Sequence, residues 1–273
     1  MKLVRLTRKV RFSSGHRYWD DGVSANENRA RFGPFASPYN HGHNYILEAT
    51  VEGPVQTATG MVVNIKLIDD VLQARVVGRF DGRSINDEIP EFAVQPPSIE
   101  NLLRYFWEDL VGNLPAGATL TDLRLEEHSL LWGNLSAHDS MLTLTRSYEF
   151  AASHRLHCPD LSDSENVALF GKCNNRYGHG HNYKLEVTVT GTPDPVTSFI
   201  VDLGELDAVV ESEIVDRYDH KCLNEDLEEF KNVNPTTEVV ALRVFEVLEK
   251  ALPVELVSVK IHETERSSFE VRR

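Results

Sequence analysis

The chain has 273 residues, with 28 Lys and Arg set against 42 Asp and Glu, a net charge of -14 and a sequence pI near 5.2. That balance argues against a nucleic-acid binder, whose affinity rests on clustered Lys and Arg, and no stretch approaches the ~20 apolar residues that a membrane span needs. The three cysteines, Cys158, Cys173 and Cys222, are odd in number and all lie in the second half. They suit free thiols in a reducing compartment rather than a disulfide framework. Because Met1 to Leu6 enter a repeat at once, no signal peptide is expected, and the expected location is the cytoplasm.

In chain order the elements appear twice. Each half reads as strand, long irregular insert, strand, helix, loop, helix, strand. Residues Asn44 to Glu52 alternate apolar and polar side chains, the signature of a half-buried strand, and Asn182 to Thr190 do the same. A helix is predicted after Pro97-Ser98, with Ile99, Leu102, Leu103, Phe106 and Leu110 on its apolar face. After Asp202, whose spacing to Glu205 resembles a capping box, Leu203, Leu206, Val209, Val210 and Ile214 fall at helical spacing. A last helix is predicted after Pro235-Thr236, with Val239, Val240, Val244, Val247 and Leu248 apolar. Helices on one face of an antiparallel sheet give an α+β architecture.

The duplication is exact in register over most of its length. A shift of 138 positions lays Leu6-Thr7-Arg8 on Leu144-Thr145-Arg146, Phe12 on Phe150, Phe32-Gly33 on Phe170-Gly171, Asp81 on Asp219 and Asn86 on Asn224. Pro97 and Glu100 fall on Pro235 and Glu238, and a two-residue deletion near the end brings Glu127 onto Glu263. Two domains, residues 1–137 and 138–273, are therefore expected.

Within that repeat stands the strongest chemical signal. His16, His41 and His43 recur as His154, His179 and His181 at identical spacing. Two histidines flanking a glycine at the head of a strand place both rings on one side, and the distant histidine adds a third nitrogen. Three nitrogens with an open fourth position describe a catalytic zinc, and up to two zinc ions per chain are expected.

The second half also carries Phe150-Ala151-Ala152-Ser153-His154-Arg155-Leu156, Phe170-Gly171-Lys172-Cys173-Asn174-Asn175, Gly178-His179-Gly180-His181-Asn182-Tyr183, Asp219-His220-Lys221, Pro235-Thr236 and Glu263-Thr264. In these motifs it resembles the 6-pyruvoyl-tetrahydropterin synthase and 6-carboxy-tetrahydropterin synthase family. The resemblance implies two tandem tunnelling-fold (T-fold) domains, each a four-stranded antiparallel sheet with two helices on one face, assembling into barrels. It implies a lyase acting on 7,8-dihydroneopterin triphosphate with loss of triphosphate. His154, His179 and His181 would hold zinc, Cys173 would be the general base, and Asp219 and His220 an orienting and relaying pair. Glu263 would anchor the pterin, with Thr236 beside it, and Lys172, Arg176 and Lys221 would receive the triphosphate. The five residues between Cys173 and His179 resemble the pyruvoyl-forming branch, on the tetrahydrobiopterin route. The carboxy-forming branch, on the queuosine route, more often has three.

The first half keeps His16, His41, His43, Asp81 and Glu127 but has Phe35 in place of Cys173 and Gly82 in place of His220. Its counterparts of Lys172, Arg176 and Lys221 are Pro34, Pro38 and Arg83. It is expected to be a degenerate, non-catalytic domain. A chain that only sequesters zinc or a pterin is the alternative from another functional class. Six domains per assembly, as the resemblance implies, would require three chains, so a homotrimer is expected, with a small-molecule substrate and no nucleic-acid or membrane partner.

Overall fold

A computed structural model of the chain describes residues 2–138 and 141–273. Its residues form two compact units: one runs to Leu144 and takes in Thr190–Asp202, and the other comprises Thr145–Val189 and Leu203–Arg273.

In the first unit, β1 (Leu3–His16) and β2 (His41–Pro54) pair antiparallel along their whole length, from Leu3 opposite Pro54 to His16 opposite His41. The insert between them is not wholly irregular, because it holds helix α1 (Ala25–Phe32). The Ser24 hydroxyl accepts the Glu27 N–H and the Glu27 carboxylate accepts the Ser24 N–H, a reciprocal cap that the Ser-x-x-Glu spacing encodes. After β2 come α2 (Ile65–Leu72), a wide π turn (Gln73–Val77) and α3 (Gly78–Phe80). Next follow β3 (Arg83–Ser84), α4 (Ile85–Glu88), α5 (Ile99–Val111), β4 (Thr119–His128) and β5 (Leu131–Ser136). The strand order is β5-β4-β2-β1-β3, antiparallel except for the two-residue β3, which runs parallel to β1.

The second unit repeats the plan with β6 (Leu142–His154), α6 (Asp163–Phe170), β7 (His179–Thr190), α7 (Leu203–Val210), a π turn (Glu211–Val215) and α8 (Asp216–Tyr218). It ends with β8 (Lys221–Cys222), α9 (Leu223–Asp226), α10 (Thr237–Ala251), β9 (Glu255–Thr264) and β10 (Ser267–Arg272). Its strand order is β10-β9-β7-β6, and β8 lies parallel against β6. The two units are tandem T-fold domains.

Why each long helix contains a π turn follows from its apolar residues. Ile68, Leu72, Val76 and Phe80 are spaced strictly by four, as are Leu206, Val210, Ile214 and Tyr218, and all eight are fully buried. In an α-helix each four-residue step overshoots the turn by about 40°. The wider π turn takes back part of that drift and keeps the last aromatic ring facing the core. There Phe80 meets Phe12 at 5.8 Å between ring centroids, and Tyr218 meets Phe150 at 5.8 Å. Phe12 in turn stacks on Tyr45 at 4.9 Å, and Phe150 on Tyr183 at 5.2 Å. The predicted faces of α5 and α10 are found, with Ile99, Leu102, Leu103, Phe106 and Leu110 buried, and with Val240, Val244 and Leu248 buried; Val239 and Val247 are half-buried. Among the described residues no helix is long and apolar enough to cross a membrane.

Candidate metal and active site

The strand pairing builds the histidine clusters. His16 ends β1 directly opposite His41, and His43 lies two residues along the same face of β2. Gly42 lets the strands close at this point, since a Cβ there would meet the Ser14 carbonyl oxygen at 3.2 Å; at Gly180 it would meet the Ala152 carbonyl oxygen at 3.1 Å. The result is two groups, His16, His41, His43 and His154, His179, His181, in each of which one nitrogen per ring lies within 4.8 Å of the others.

Second contacts fix the ring tautomers. His16 Nδ1 lies 3.2 Å from the Pro97 carbonyl oxygen and His154 Nδ1 lies 2.8 Å from that of Pro235. A carbonyl only accepts, so Nδ1 carries the proton and Nε2 turns its lone pair into the cluster. His16, His43 and His181 bury their Nε2 atoms with no hydrogen bond among the described residues. Burial, reinforced by the neighbouring imidazoles, pushes His16 down to about 3 and His43 to about 4. His154, His179 and His181 are also lowered, chiefly by burial, and the Lys172 charge presses His179 and His181 the same way. Neutral imidazoles with buried lone pairs and nothing to accept are costly unless a cation completes them. These residues fit a metal ion.

A carboxylate stands beside each cluster. Glu127 Oε1 is 3.6 Å from His43 Nε2, and Glu263 Oε1 is 3.7 Å from His181 Nε2 and 3.8 Å from His154 Nε2. Glu263 also accepts the Thr237 hydroxyl at 2.6 Å. Thr237 is not part of the motif, which points to Thr236; Thr236 stands at the N-cap position of α10 with no side-chain capping bond, its N–H on the Asn234 carbonyl. The signal was in the repeat, where Ile99 faces Thr237 across the shift.

Two further groups belong to the second unit. Helix α6, capped by Ser162 and Glu165, ends at Gly171 with φ 53°, which turns the chain into the short helical turn Gly171–Asn174 that carries Cys173. The Cys173 carbonyl accepts the Leu156 N–H at 2.9 Å, tying that turn to the chain just beyond His154. Tyr183, its ring 5.5 Å from that of His181, has its phenol pushed up by burial and then by the charges of Glu263 and Cys173. The other group is Asp219-His220. Asp219 Oδ1 accepts the Ala151 N–H at 2.7 Å while Oδ2 accepts His220 Nδ1–H at 2.6 Å. Those two bonds, the backbone one first, hold the Asp219 carboxyl below its ordinary range. In the first unit Asp81 keeps only the structural half of this arrangement, accepting the Ser13 N–H at 2.7 Å. Lys172, Arg176 and Lys221 are exposed.

The position of Cys173 is filled differently in the first unit. Phe35 and Ala36 pack on an aromatic cluster of Tyr18, Phe32 and Phe199, with Phe199 edge-on to Tyr18 at 5.0 Å. Tyr18 lies 5.1 Å from the His16 ring, so apolar rings crowd the flank where the second unit has a thiol. Beside them Glu100, 3% exposed, accepts the Ile200 N–H at 2.9 Å.

The chain resembles known proteins in both halves. The family model for 6-pyruvoyl tetrahydropterin synthase matches residues 5–136 and again residues 143–273. The 6-pyruvoyl tetrahydrobiopterin synthase of Poecilia reticulata is 47% identical over 125 residues, which is 45% of this chain and 85% of that protein. The human protein of the same name is 47% identical over 125 residues, covering 45% of this chain and 86% of its own length. The Caenorhabditis elegans 6-pyruvoyl tetrahydropterin synthase structure aligns at 40% identity and a TM-score of 0.47, over 49% of this chain and 96% of that one. With two matches that together span nearly all its length, the chain belongs to the 6-pyruvoyl tetrahydropterin synthase family, as a tandem pair of its domains.

Proposed function

We propose that this enzyme is a zinc-dependent lyase that converts 7,8-dihydroneopterin triphosphate with loss of triphosphate, and that the second unit alone carries the chemistry. The observation behind this is the asymmetry of the repeat. Cys173 and the Asp219–His220 pair stand in the second unit, whereas Phe35 and Gly82 occupy those positions in the first. Bound by His154, His179 and His181, zinc would supply Lewis acidity to the hydroxyls of the substrate side chain. Cys173 takes a proton from that side chain as thiolate. Because Asp219 accepts the Nδ1 proton of His220, the Nε2 lone pair of that ring is left to accept and relay a proton. Glu263, oriented by the Thr237 hydroxyl, receives the amino-pyrimidinone edge of the pterin, with Thr236 at the start of the same helix. Lys172, Arg176 and Lys221 meet the triphosphate, which departs with the electron pair of its C–O bond.

Incubation with dihydroneopterin triphosphate, reading triphosphate release and product mass, tests the reading. The pyruvoyl product is expected, and the mass separates it from the carboxy product. No product would leave only a zinc- or pterin-binding protein. Metal analysis should find close to two zinc ions per chain. His16→Ala should lose one and keep turnover, and His179→Ala should lose one together with turnover; equal loss of activity in both would contradict the division of labour. The free thiols support a cytoplasmic location, and the family domain count supports a trimer of chains.

A further inference from the structure

The two histidine clusters differ in the carboxylate beside them. Glu127 lies one residue from the end of β4, where the pairing with β5 slips: Glu126 stands opposite Trp132 and His128 opposite Leu131, so Glu127 is the extra residue of a β-bulge. A bulge re-aims its side chain, and this one turns the carboxylate toward the rings. Glu127 Oε1 lies 3.6 Å from His43 Nε2 and Oε2 lies 4.0 Å from His16 Nε2, so the two oxygens address two different histidines. Glu263 sits in a matching slip between β9 and β10. There one oxygen, Oε1, is the nearest to both His181 and His154, at 3.7 and 3.8 Å, and the same atom takes the Thr237 hydroxyl at 2.6 Å. The Glu127 side chain is 8% exposed and that of Glu263 is 21% exposed.

One residue at the start of the long helix sets this difference. Thr237 holds Glu263 by its hydroxyl, whereas Ile99, buried at the equivalent place, has none to offer and leaves Glu127 turned to the histidines. Ligand atoms at about 2.0–2.1 Å around a tetrahedral ion stand roughly 3.4 Å apart. Glu127 Oε1 is already close to that separation from His43 Nε2. A carboxylate buried against neutral imidazoles is costly by itself, and a divalent ion set between them offsets the cost. The other nearby ring does not compete for the position. His128 stacks 6.0 Å from His43, where the second repeat has Thr264, and its Nδ1 accepts the Leu130 N–H at 3.3 Å. The neutral ring therefore carries its proton on Nε2 and has no lone pair left to give.

We infer that the first unit holds its ion in a closed centre of four ligands, His16, His41, His43 and Glu127, while the second unit keeps its fourth position open. The inference rests on the metal reading of the first cluster and goes beyond it in giving Glu127 a role that Glu263 does not have. Four protein ligands make a structural centre, with no position left for a reacting molecule. Such a centre ties the end of β1, the head of β2 and the end of β4, three segments far apart in sequence, to one point. It gives the first unit a use for its histidines and carboxylate although Phe35 and Gly82 stand where Cys173 and His220 stand in the second.

The test isolates each centre within the whole chain. His179→Ala leaves the first centre intact and His16→Ala the second, and each variant is loaded with Co2+, whose visible spectrum reports coordination and ligand exchange. The spectrum of the His179→Ala chain should be four-coordinate and unmoved by added thiocyanate, while that of the His16→Ala chain should shift as thiocyanate enters the open position. Added to His179→Ala, Glu127→Gln should weaken metal affinity by about 100-fold, the upper end of what even the outer contacts of a metal ligand contribute, and make the spectrum respond to thiocyanate. Added to His16→Ala, Glu263→Gln should leave metal affinity unchanged. Should Glu127→Gln fail to fold, the thiocyanate comparison of the two histidine variants decides. A thiocyanate shift in the His179→Ala chain, or unchanged affinity in Glu127→Gln, would overturn the closed centre while leaving the metal reading of the cluster in place. A His179→Ala chain that takes up no metal would sink that reading and the closed centre with it.

Discussion

His220 adopts φ 57°, in the left-handed region, where the first repeat has Gly82 at φ 71°. The turn is the same in both, with the Gly82 N–H on the Ser13 carbonyl at 2.7 Å and the His220 N–H on the Ala151 carbonyl at 2.6 Å. A non-glycine residue pays about 1 kcal/mol or more for that conformation, and the strain persists here next to the Asp219 bond that aims the ring. His220→Gly should therefore stabilise the chain by about 1 kcal/mol in denaturant unfolding while abolishing turnover. A destabilised variant would mean that the imidazole is held for packing. Cys173→Ala should lower kcat by about 10² to 10⁴, the range for a positioned base, with zinc content unchanged and Cys222→Ala nearly silent. Full activity in Cys173→Ala would move the base to His220. The histidine clusters and the Asp219–His220 bond were legible because each is a residue type whose chemistry is tied to a fixed spacing. Thr237 was not, since a hydroxyl one residue along a helix acquires its role only when the helix start is set against β9 in three dimensions.

At the scale of elements, the sequence gives up its strands and long helices through period-two and period-four burial, and the structure adds what periodicity cannot express. The π turns replace what reads as one continuous helix, and β3 and β8 are too short to carry a pattern. The segment Thr190–Asp202 is the least legible. It reads as a loop of the second repeat, yet its Phe199 and Ile200 belong to the first unit, bound through Tyr18, Phe32 and Glu100. Only a contact distant in sequence reveals that. Burial pushes the Glu100 carboxyl above its ordinary range, against the Ile200 N–H, the Ser98 hydroxyl and the Arg104 charge, which favour ionisation. A raised folded-state pKa leaves stability whole below the unfolded value near 4.5 and erodes it as pH rises through the interval up to the folded one. Glu100→Gln keeps an oxygen for Ile200 and cannot ionise. In thermal scans it should melt above the parent chain at neutral pH and alongside it near pH ~3, where both states are protonated. A lower melting temperature at neutral pH would show that the charge itself is used.

At the scale of the whole molecule, the repeat poses an imbalance that one chain does not resolve. Glu100 is buried against Ile200, and Phe199 is 8% exposed in its aromatic cluster. Their counterparts are open: Glu238 is exposed, and Met61, which the 138-residue shift lays under Phe199, is 44% exposed. An acceptor on α10 and the open Met61 before α2 are therefore available to a neighbour, next to Val62, which stands where Ile200 stands and is itself buried. A neighbouring copy can satisfy both at once, the Glu238 of one chain taking the Val62 N–H of the next. Such a contact joins different surfaces of the two copies, so it repeats until a ring closes. Three chains supply the six domains of the proposed assembly, and light scattering should return about 92 kDa, three times the 30.8 kDa of one chain. Glu238→Arg, which replaces the acceptor with a cation, should reduce the mass toward 30.8 kDa and lower activity along with it, with the fold of each unit intact by circular dichroism. A parent chain that is monomeric and fully active, or a Glu238→Arg variant that keeps the trimeric mass, would place the interface elsewhere.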